Sequence, residues 1–207
     1  MADSPPHPQV VNCLDLLRHV VAVPCPGMTA TVALDWYKTP EEGVDPRYWS
    51  NTTVGALIKR AKYLFKYDPD RQDEIGRLIV GGLVAVIEVH PLYAAADSIL
   101  GVPGHDRSQL SFGARIAPTL HDVLGLELIS VRQRDPYRPE MKNLDPAAQA
   151  AALRGQFRVV GDLAGRTTIG ADDVLRSGSS MRALAAAARA AGATRTLGLA
   201  AVRTMRA

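Results

Sequence analysis

With 207 residues, 47% of them hydrophobic and 22% charged, the chain is long enough for one globular domain with a modest extra lobe, which excludes disorder along its whole length. Lys and Arg outnumber Asp and Glu by only 24 to 21, a formal charge of +3 that suits an anionic ligand and is too small to argue for nucleic acid. The longest apolar stretch, Leu78 to Ile87, lies between Arg77 and Glu88 and falls short of the ~20 residues needed to span a bilayer, so no membrane partner is expected. The opening MADSPPHPQ has neither the charged start nor the apolar run of a signal peptide, and a soluble cytoplasmic protein is the expectation. Cys13 and Cys25 could join His7 and His19 in a zinc site. They lack C-x-x-C spacing, and two reduced thiols are the simpler reading.

Residues 1 to 9 are proline-rich, and Val10, Val11, Leu14, Leu17 and His19 then suggest a short amphipathic helix. Met28 to Tyr37 alternates as a strand does, and Thr39 to Asn51 is loop by composition. In that loop Tyr48 and Trp49 are expected to pack it down rather than stack on a base. Thr52 or Thr53 caps a helix running to about Tyr67, with Val54, Leu57, Ile58, Ala61 and Leu64 as its apolar stripe. Lys59, Arg60, Lys62 and Lys66 form its basic flank, read either as a solvated face or as a surface for pyrophosphate or nucleic acid. Asp68-Pro69 breaks the pattern, and a second helix follows from Asp70 to Val89, where Gly81-Gly82 permits close packing or a bend. Residues 1–90 are therefore expected to form an N-terminal helical lobe, and residues 91–207 the core.

From Ala96 short apolar strands alternate with helices, the pattern of a parallel sheet. Ser98 to Val102 reads as a buried strand whose carboxyl end carries Pro103-Gly104-His105-Asp106-Arg107, the kind of loop where open α/β sheets bind ligands. A helix from Ser108 to Leu124 follows, with Phe112, Ile116, Leu120 and Val123 on one face. Pro118 within it requires a kink or a later start. Leu126 to Val131 is the next strand, and Arg132 and Arg134 beyond it are candidate anion contacts. An Ala-rich helix (Asp145 to Arg154) and a strand (Phe157 to Val160) lead to the turn Gly161 to Arg166. That turn fails as a P-loop because the lysine is missing and a strand, not a helix, follows.

The most informative stretch is Thr167 to Met181. A short buried strand, Thr167 to Ala171, runs into Asp172 and Asp173, and Arg176-Ser177-Gly178-Ser179-Ser180 then opens a helix. Carboxylates accept hydrogen bonds from ribose hydroxyls, while a Gly/Ser turn leaves backbone N–H groups at a helix N-terminus, where the dipole favours phosphate. A ribose 5-phosphate would be held at both ends. The helix runs from Ser179 to Ala191 with Met181, Leu184, Ala185 and Ala188 inward and Arg182 and Arg189 opposite. Gly192 closes it, and Thr196 to Val202 is the last strand.

The run Asp172-Asp173-Val174-Leu175-Arg176-Ser177-Gly178-Ser179-Ser180 resembles the acid pair, aliphatic pair and Thr/Ser-Gly-x-Thr/Ser loop of type I phosphoribosyltransferases, with Arg176 where that pattern usually has Thr or Ser. From about Tyr63 onwards the layout is similar to the competence-protein ComF branch of that family. The similarity lies in Lys62-Tyr63 or Lys66-Tyr67, Val102-Pro103, Phe112, Arg132, Arg134 and Leu153-Arg154-Gly155-Gln156-Phe157. The branch's N-terminal cysteine cluster and its Arg-Gly-Phe-Asn-Gln run are missing, so a DNA-uptake role is not carried over.

The resemblance implies an α/β fold of the type I phosphoribosyltransferase kind, with a central, mostly parallel sheet flanked by helices and an N-terminal hood. It implies Mg²⁺-dependent transfer of the 5-phosphoribosyl group from phosphoribosyl pyrophosphate (PRPP) to an unidentified small-molecule acceptor, releasing pyrophosphate. Asp172 and Asp173 would be catalytic, and Arg176, Ser177, Gly178, Ser179 and Ser180 would bind the 5-phosphate. Pro103, Gly104, His105, Arg107, Arg132 and Arg134 would face pyrophosphate, with Mg²⁺ held mainly by the donor and water. The alternative is a regulatory or accessory protein that binds PRPP without turnover. Such folds often pair as homodimers.

Overall fold

The computed structural model describes residue 15 and residues 18–104, 111–135 and 144–205. Seven apolar runs become strands of one sheet: β1 (Val21–Ala22), β2 (Ala30–Trp36), β3 (Ser98–Gly101), β4 (Glu127–Gln133), β5 (Phe157–Val160), β6 (Thr167–Leu175) and β7 (Arg195–Arg203). Their spatial order is β1-β2-β7-β6-β3-β4-β5. The five central strands are parallel, and β1 and β5 close the two edges antiparallel. The sheet is thus mostly parallel, within a mixed α/β fold. β5 departs from the uniform parallel alternation that the sequence pattern suggests. The two strands from the N-terminal segment, β1 and β2, belong to this same sheet, with β2 hydrogen-bonded along β7.

Parallel strands need cover on both faces, which is why β6 and β7 are buried almost throughout. On one face lie α1 (Thr53–Lys59), α2 (Pro69–Val89) and α4 (Ile116–Leu124), packing Ile58, Leu83 and Leu120 onto Ile99, Ile169 and Leu197. On the other lie α5 (Pro146–Leu153) and α6 (Ser179–Ala190), whose Leu153, Met181 and Leu184 meet Leu100, Ile129 and Ala200. The short α3 (Pro91–Ala94) seats the fully buried Tyr93, whose hydroxyl donates to the Gly198 carbonyl at 2.6 Å. Close packing explains Gly82 in α2, because a Cβ there would come within 2.8 Å of Leu34.

The helix starts follow local chemistry. Thr52 Oγ1 accepts from Gly55 N–H at 3.0 Å, Asp68 Oδ1 from Arg71 N–H at 3.1 Å, and Asp145 Oδ1 from Ala148 N–H at 2.8 Å. Each cap is worth about 1 kcal/mol. Pro118 resolves as a later start, since it is the third residue of α4, where its missing N–H has no intrahelical partner to lose. A 3₁₀ turn (Gly113–Arg115) precedes α4, and Phe112 is buried ahead of it, while Val123 is exposed and does not share the Ile116–Leu120 face.

The helix expected to run unbroken to Tyr67 instead changes after Lys59 into one π turn, Arg60–Leu64, closed by Phe65 N–H to the Arg60 carbonyl at 2.8 Å. The buried Ala61 carbonyl is satisfied from outside the helix, by Gln72 Nε2 of α2 at 2.9 Å. Among the described residues no helix is long and apolar enough to cross a membrane.

Candidate functional site

The carboxyl ends of the parallel strands share one rim, the position at which open α/β sheets bind ligands. β6 contributes most to it. Instead of ending at Ala171, this strand continues to Leu175, because β7 is long enough to pair Asp172 with Ala200 and Leu175 with Arg203. Asp172 and Asp173 are therefore successive strand residues and point to opposite faces.

Asp173 faces the α1–α4 layer and is only 6% exposed. Its Oδ2 lies 2.8 Å from Lys62 Nζ of the π turn. Burial pulls the Lys62 ammonium down, but the Asp173 carboxylate, with Asp172 behind it, outweighs that and holds it above its ordinary value. Gly113 of the 3₁₀ turn abuts the same carboxylate. A Cβ there would come within 2.9 Å of Asp173 Cγ, so glycine is what lets this turn lie so close. Nearby, the Tyr37 phenol is raised by burial first and by Tyr63 and Asp173, with Lys62 opposing.

Asp172 faces the α5–α6 layer and is half-buried. Burial raises its carboxyl most, the Asp173 carboxylate adds to this, and Lys62 and the Asp173 N–H at 2.9 Å oppose it, leaving it pushed up to about 8. It forms one wall of a pocket of about 80 Å³ enclosed by Gln149, Leu153 and the loop from Arg176 to Ser180.

That loop is built by its small residues. Gly178 caps α6 with φ of +71°, in the left-handed region that side chains disfavour, and the neighbouring Ser177 Oγ accepts from the Ser179 N–H at 3.3 Å. The Ser177 hydroxyl donates to Gln149 Oε1 at 2.5 Å, and Ser179 Oγ lies 2.9 Å from Ser177 Oγ. Arg182 Nη2 donates to Ser179 Oγ at 3.0 Å. Arg182 thus turns back to the loop rather than standing on a solvent face, a correction to the helical-wheel reading. Arg189 is exposed, in keeping with the outward face expected for it, and its guanidinium lies against Gly27. The Arg176 side chain is exposed, and its carbonyl accepts from Arg203 Nη1, which also reaches the Leu175 carbonyl at 3.2 Å. Cys25 is a buried free thiol, 3.7 Å from the Gly178 carbonyl, and burial raises it above the ordinary thiol range against the opposing Arg182 and Arg203.

The loop after β3 begins beside the acid pair, because Val102 N–H donates to the Ala171 carbonyl at 3.0 Å. Gln133 Nε2 ties down the Gly104 carbonyl. Pro103 and Gly104 are thereby adjacent to the site, while His105 and Arg107 lie outside the described residues. Arg132 lies inside β4 opposite Arg158 rather than after the strand. Its side chain and that of Arg134 are exposed, and among the described residues neither forms an ion pair.

Gly113, Gln149 and Arg182 are residues that the sequence did not point to, and Lys62 was offered only within a basic flank that could face pyrophosphate. Lys62 stood in a run of similar cations, and Gln149 in an Ala-rich helix where a single amide carries no signal. In the opening loop, Trp49 Nε1 donates to the Val44 carbonyl at 2.8 Å and packs the loop as expected, whereas Tyr48 is exposed. Among the described residues no group of three or more His, Cys, Asp or Glu side chains could hold a metal ion. Cys13 and His7 lie outside them.

No protein-family model matches the chain, and no curated protein matches it. Among solved structures the chain is similar to the purine phosphoribosyltransferase from Pyrococcus horikoshii Ot3, at 19% identity and a TM-score of 0.38, over 59% of this chain and 80% of that one.

Proposed function

We propose that the chain binds PRPP at the rim of β6 and transfers its phosphoribosyl group to a small-molecule acceptor, releasing pyrophosphate. The observation that carries this reading is the pocket that Asp172 shares with the loop under Gly178 at the α6 N-terminus, with Asp173 the next residue of the same strand on its other face. The 5-phosphate would sit in that pocket, where backbone N–H groups, the helix dipole and Arg182 favour an anion. The ribose hydroxyls would hydrogen-bond to the Asp172 carboxyl and the Asp173 carboxylate. Pyrophosphate would lie toward Pro103 and Gly104, within reach of His105, Arg107, Arg132 and Arg134.

The C1–oxygen bond to pyrophosphate breaks as the acceptor bonds to C1, and positive charge builds on the ribosyl ring between two anionic ends. A fixed carboxylate at Asp173 stabilises that charge more in the transition state than in the ground state, and Asp172, whose carboxyl is pushed up to about 8, stands beside it as a hydrogen-bonding group. The residues present suit a Mg²⁺ ion that arrives with pyrophosphate rather than one caged by protein, because the Asp173 carboxylate already carries an ammonium. When bound, the ion supplies charge neutralisation on the leaving group. The N-terminal segment, with α1 and its π turn beside Asp173, is the side from which an acceptor would be covered.

One observation favours binding without turnover: Lys62 offsets the negative charge of Asp173 that a cationic ribosyl centre would use. Pyrophosphate release measured across candidate acceptors separates the two readings. The donor assignment itself is tested by calorimetry with PRPP and Mg²⁺. Asp173→Asn should weaken binding by about 1.5 to 3 kcal/mol, the loss of a charged acceptor of hydroxyl hydrogen bonds. Unchanged affinity would remove the central assignment.

A further inference from the structure

The basic flank of the first helix is not one solvated face. Its members Lys59, Arg60 and Lys66 form no ion pair among the described residues, whereas Lys62 is turned inward onto a carboxylate that is nearly closed to solvent. The π turn accounts for the difference. An extra residue in one turn rotates everything after it relative to the preceding helix, and such insertions persist only where something outside the helix satisfies the disturbed backbone.

Here the supporting contacts form a closed circuit. Gln72 Nε2 holds the Ala61 carbonyl, the residue before Lys62, and Gln72 Oε1 accepts from Arg115 Nη1 at 3.1 Å. Arg115 is itself paired with Asp73, and it ends the 3₁₀ turn whose Gly113 rests on the Asp173 carboxylate. Two elements, the π turn and the 3₁₀ turn, are thus fixed to each other through α2 and meet again on Asp173.

We propose that Lys62 is a positioning residue of the donor site, delivered by the π turn to fix the Asp173 carboxylate in direction, with Gln72 as the support that keeps the turn in place. The inference rests on the donor reading for the identity of the ligand, but not for the pairing itself. The charged and titratable groups around the pair are Asp172 on β6, Tyr37 beyond β2 and Tyr63 on the π turn. The 3₁₀ turn places Gly113 against Asp173, and its Arg115 is directed to Asp73 and Gln72.

The test measures affinity for PRPP with Mg²⁺ and, separately, for inorganic phosphate as a probe of the loop under Gly178. Lys62→Met should weaken PRPP binding by about tenfold or more while leaving phosphate binding within about twofold, because the lost charge-assisted bond acts on the ribose end only. Lys62→Arg, which keeps the charge, should recover most of the loss. Gln72→Leu should fall between wild type and Lys62→Met. PRPP binding by Lys62→Met equal to wild type would overturn the proposal. An equal loss of PRPP and phosphate affinity would also do so, since that pattern belongs to a general structural role.

A ligand-free measurement separates this inference from the donor reading. Lysine ¹³Cε NMR should show the Lys62 midpoint falling in Asp173→Asn, where the partner that holds it up is gone. If wild type binds no PRPP, the donor reading fails and this titration alone decides the positioning role, with an unmoved midpoint rejecting it.

Discussion

The Ser177 hydroxyl donates a 2.5 Å hydrogen bond to Oε1 of Gln149, a residue only 8% exposed, which ties the loop from Arg176 to Ser180 to helix α5. Gln149 also reaches the Leu144 carbonyl through Nε2 at 2.8 Å. Gln149→Leu should therefore cost about 1 kcal/mol of stability, since it takes one partner each from the half-buried Ser177 hydroxyl and Leu144 carbonyl. It should also weaken inorganic phosphate binding by loosening Ser177. Urea denaturation and phosphate titration of the same variant check both; full stability with normal phosphate affinity would mean that water replaces the amide.

Asp172 carries the clearest pH dependence. Its folded value, pushed up to about 8, lies above its ordinary value of 3.8, so between those limits the folded chain holds a proton that the unfolded chain releases. Stability from this group is complete below the lower value, falls as pH rises through the window, and levels off above the upper one. Asp172→Asn removes the titration. The variant should match wild type near pH 4 and exceed it at pH 8 by at least about 1.4 kcal/mol, the equivalent of one pKa unit. Parallel stability curves for the two proteins across that range would reject the assignment.

Gly178 holds φ of +71° at the start of α6, and a Cβ there would stand 3.3 Å from Cys25 Sγ. Gly178→Val should cost at least about 1 to 2 kcal/mol through left-handed strain, and its branched side chain should obstruct the pocket and abolish phosphate binding. Normal binding by this variant, measured by calorimetry, would place the anion site elsewhere.

Arg176 has an exposed side chain at the mouth of the loop while its carbonyl is held by Arg203. Arg176→Thr should weaken PRPP binding by on the order of 1 to 3 kcal/mol and give a shallower dependence on salt, because one charge contact is lost. Equal affinity and an equal salt slope would make the guanidinium a bystander.

What the sequence determined by itself is what neighbouring residues decide among themselves. The caps Thr52, Asp68 and Asp145, the left-handed turn at Gly178 and the start of α6 beside Asp172 and Asp173 all arise from contacts within a few positions, so composition and spacing reveal them. What tertiary structure decided depends on partners far along the chain. β6 runs on to Leu175 because β7, some 30 residues later, pairs with it, and this sends the two carboxylates to opposite faces. β5 turns antiparallel because its edge position frees it from the parallel register. Lys62 was indistinguishable from Lys59 and Lys66 until Gln72 stabilised a π turn beneath it, and Gln149 was one amide in an alanine helix until Ser177 came within reach. A side chain's type is written locally, but its direction is set by whichever distant backbone it packs against.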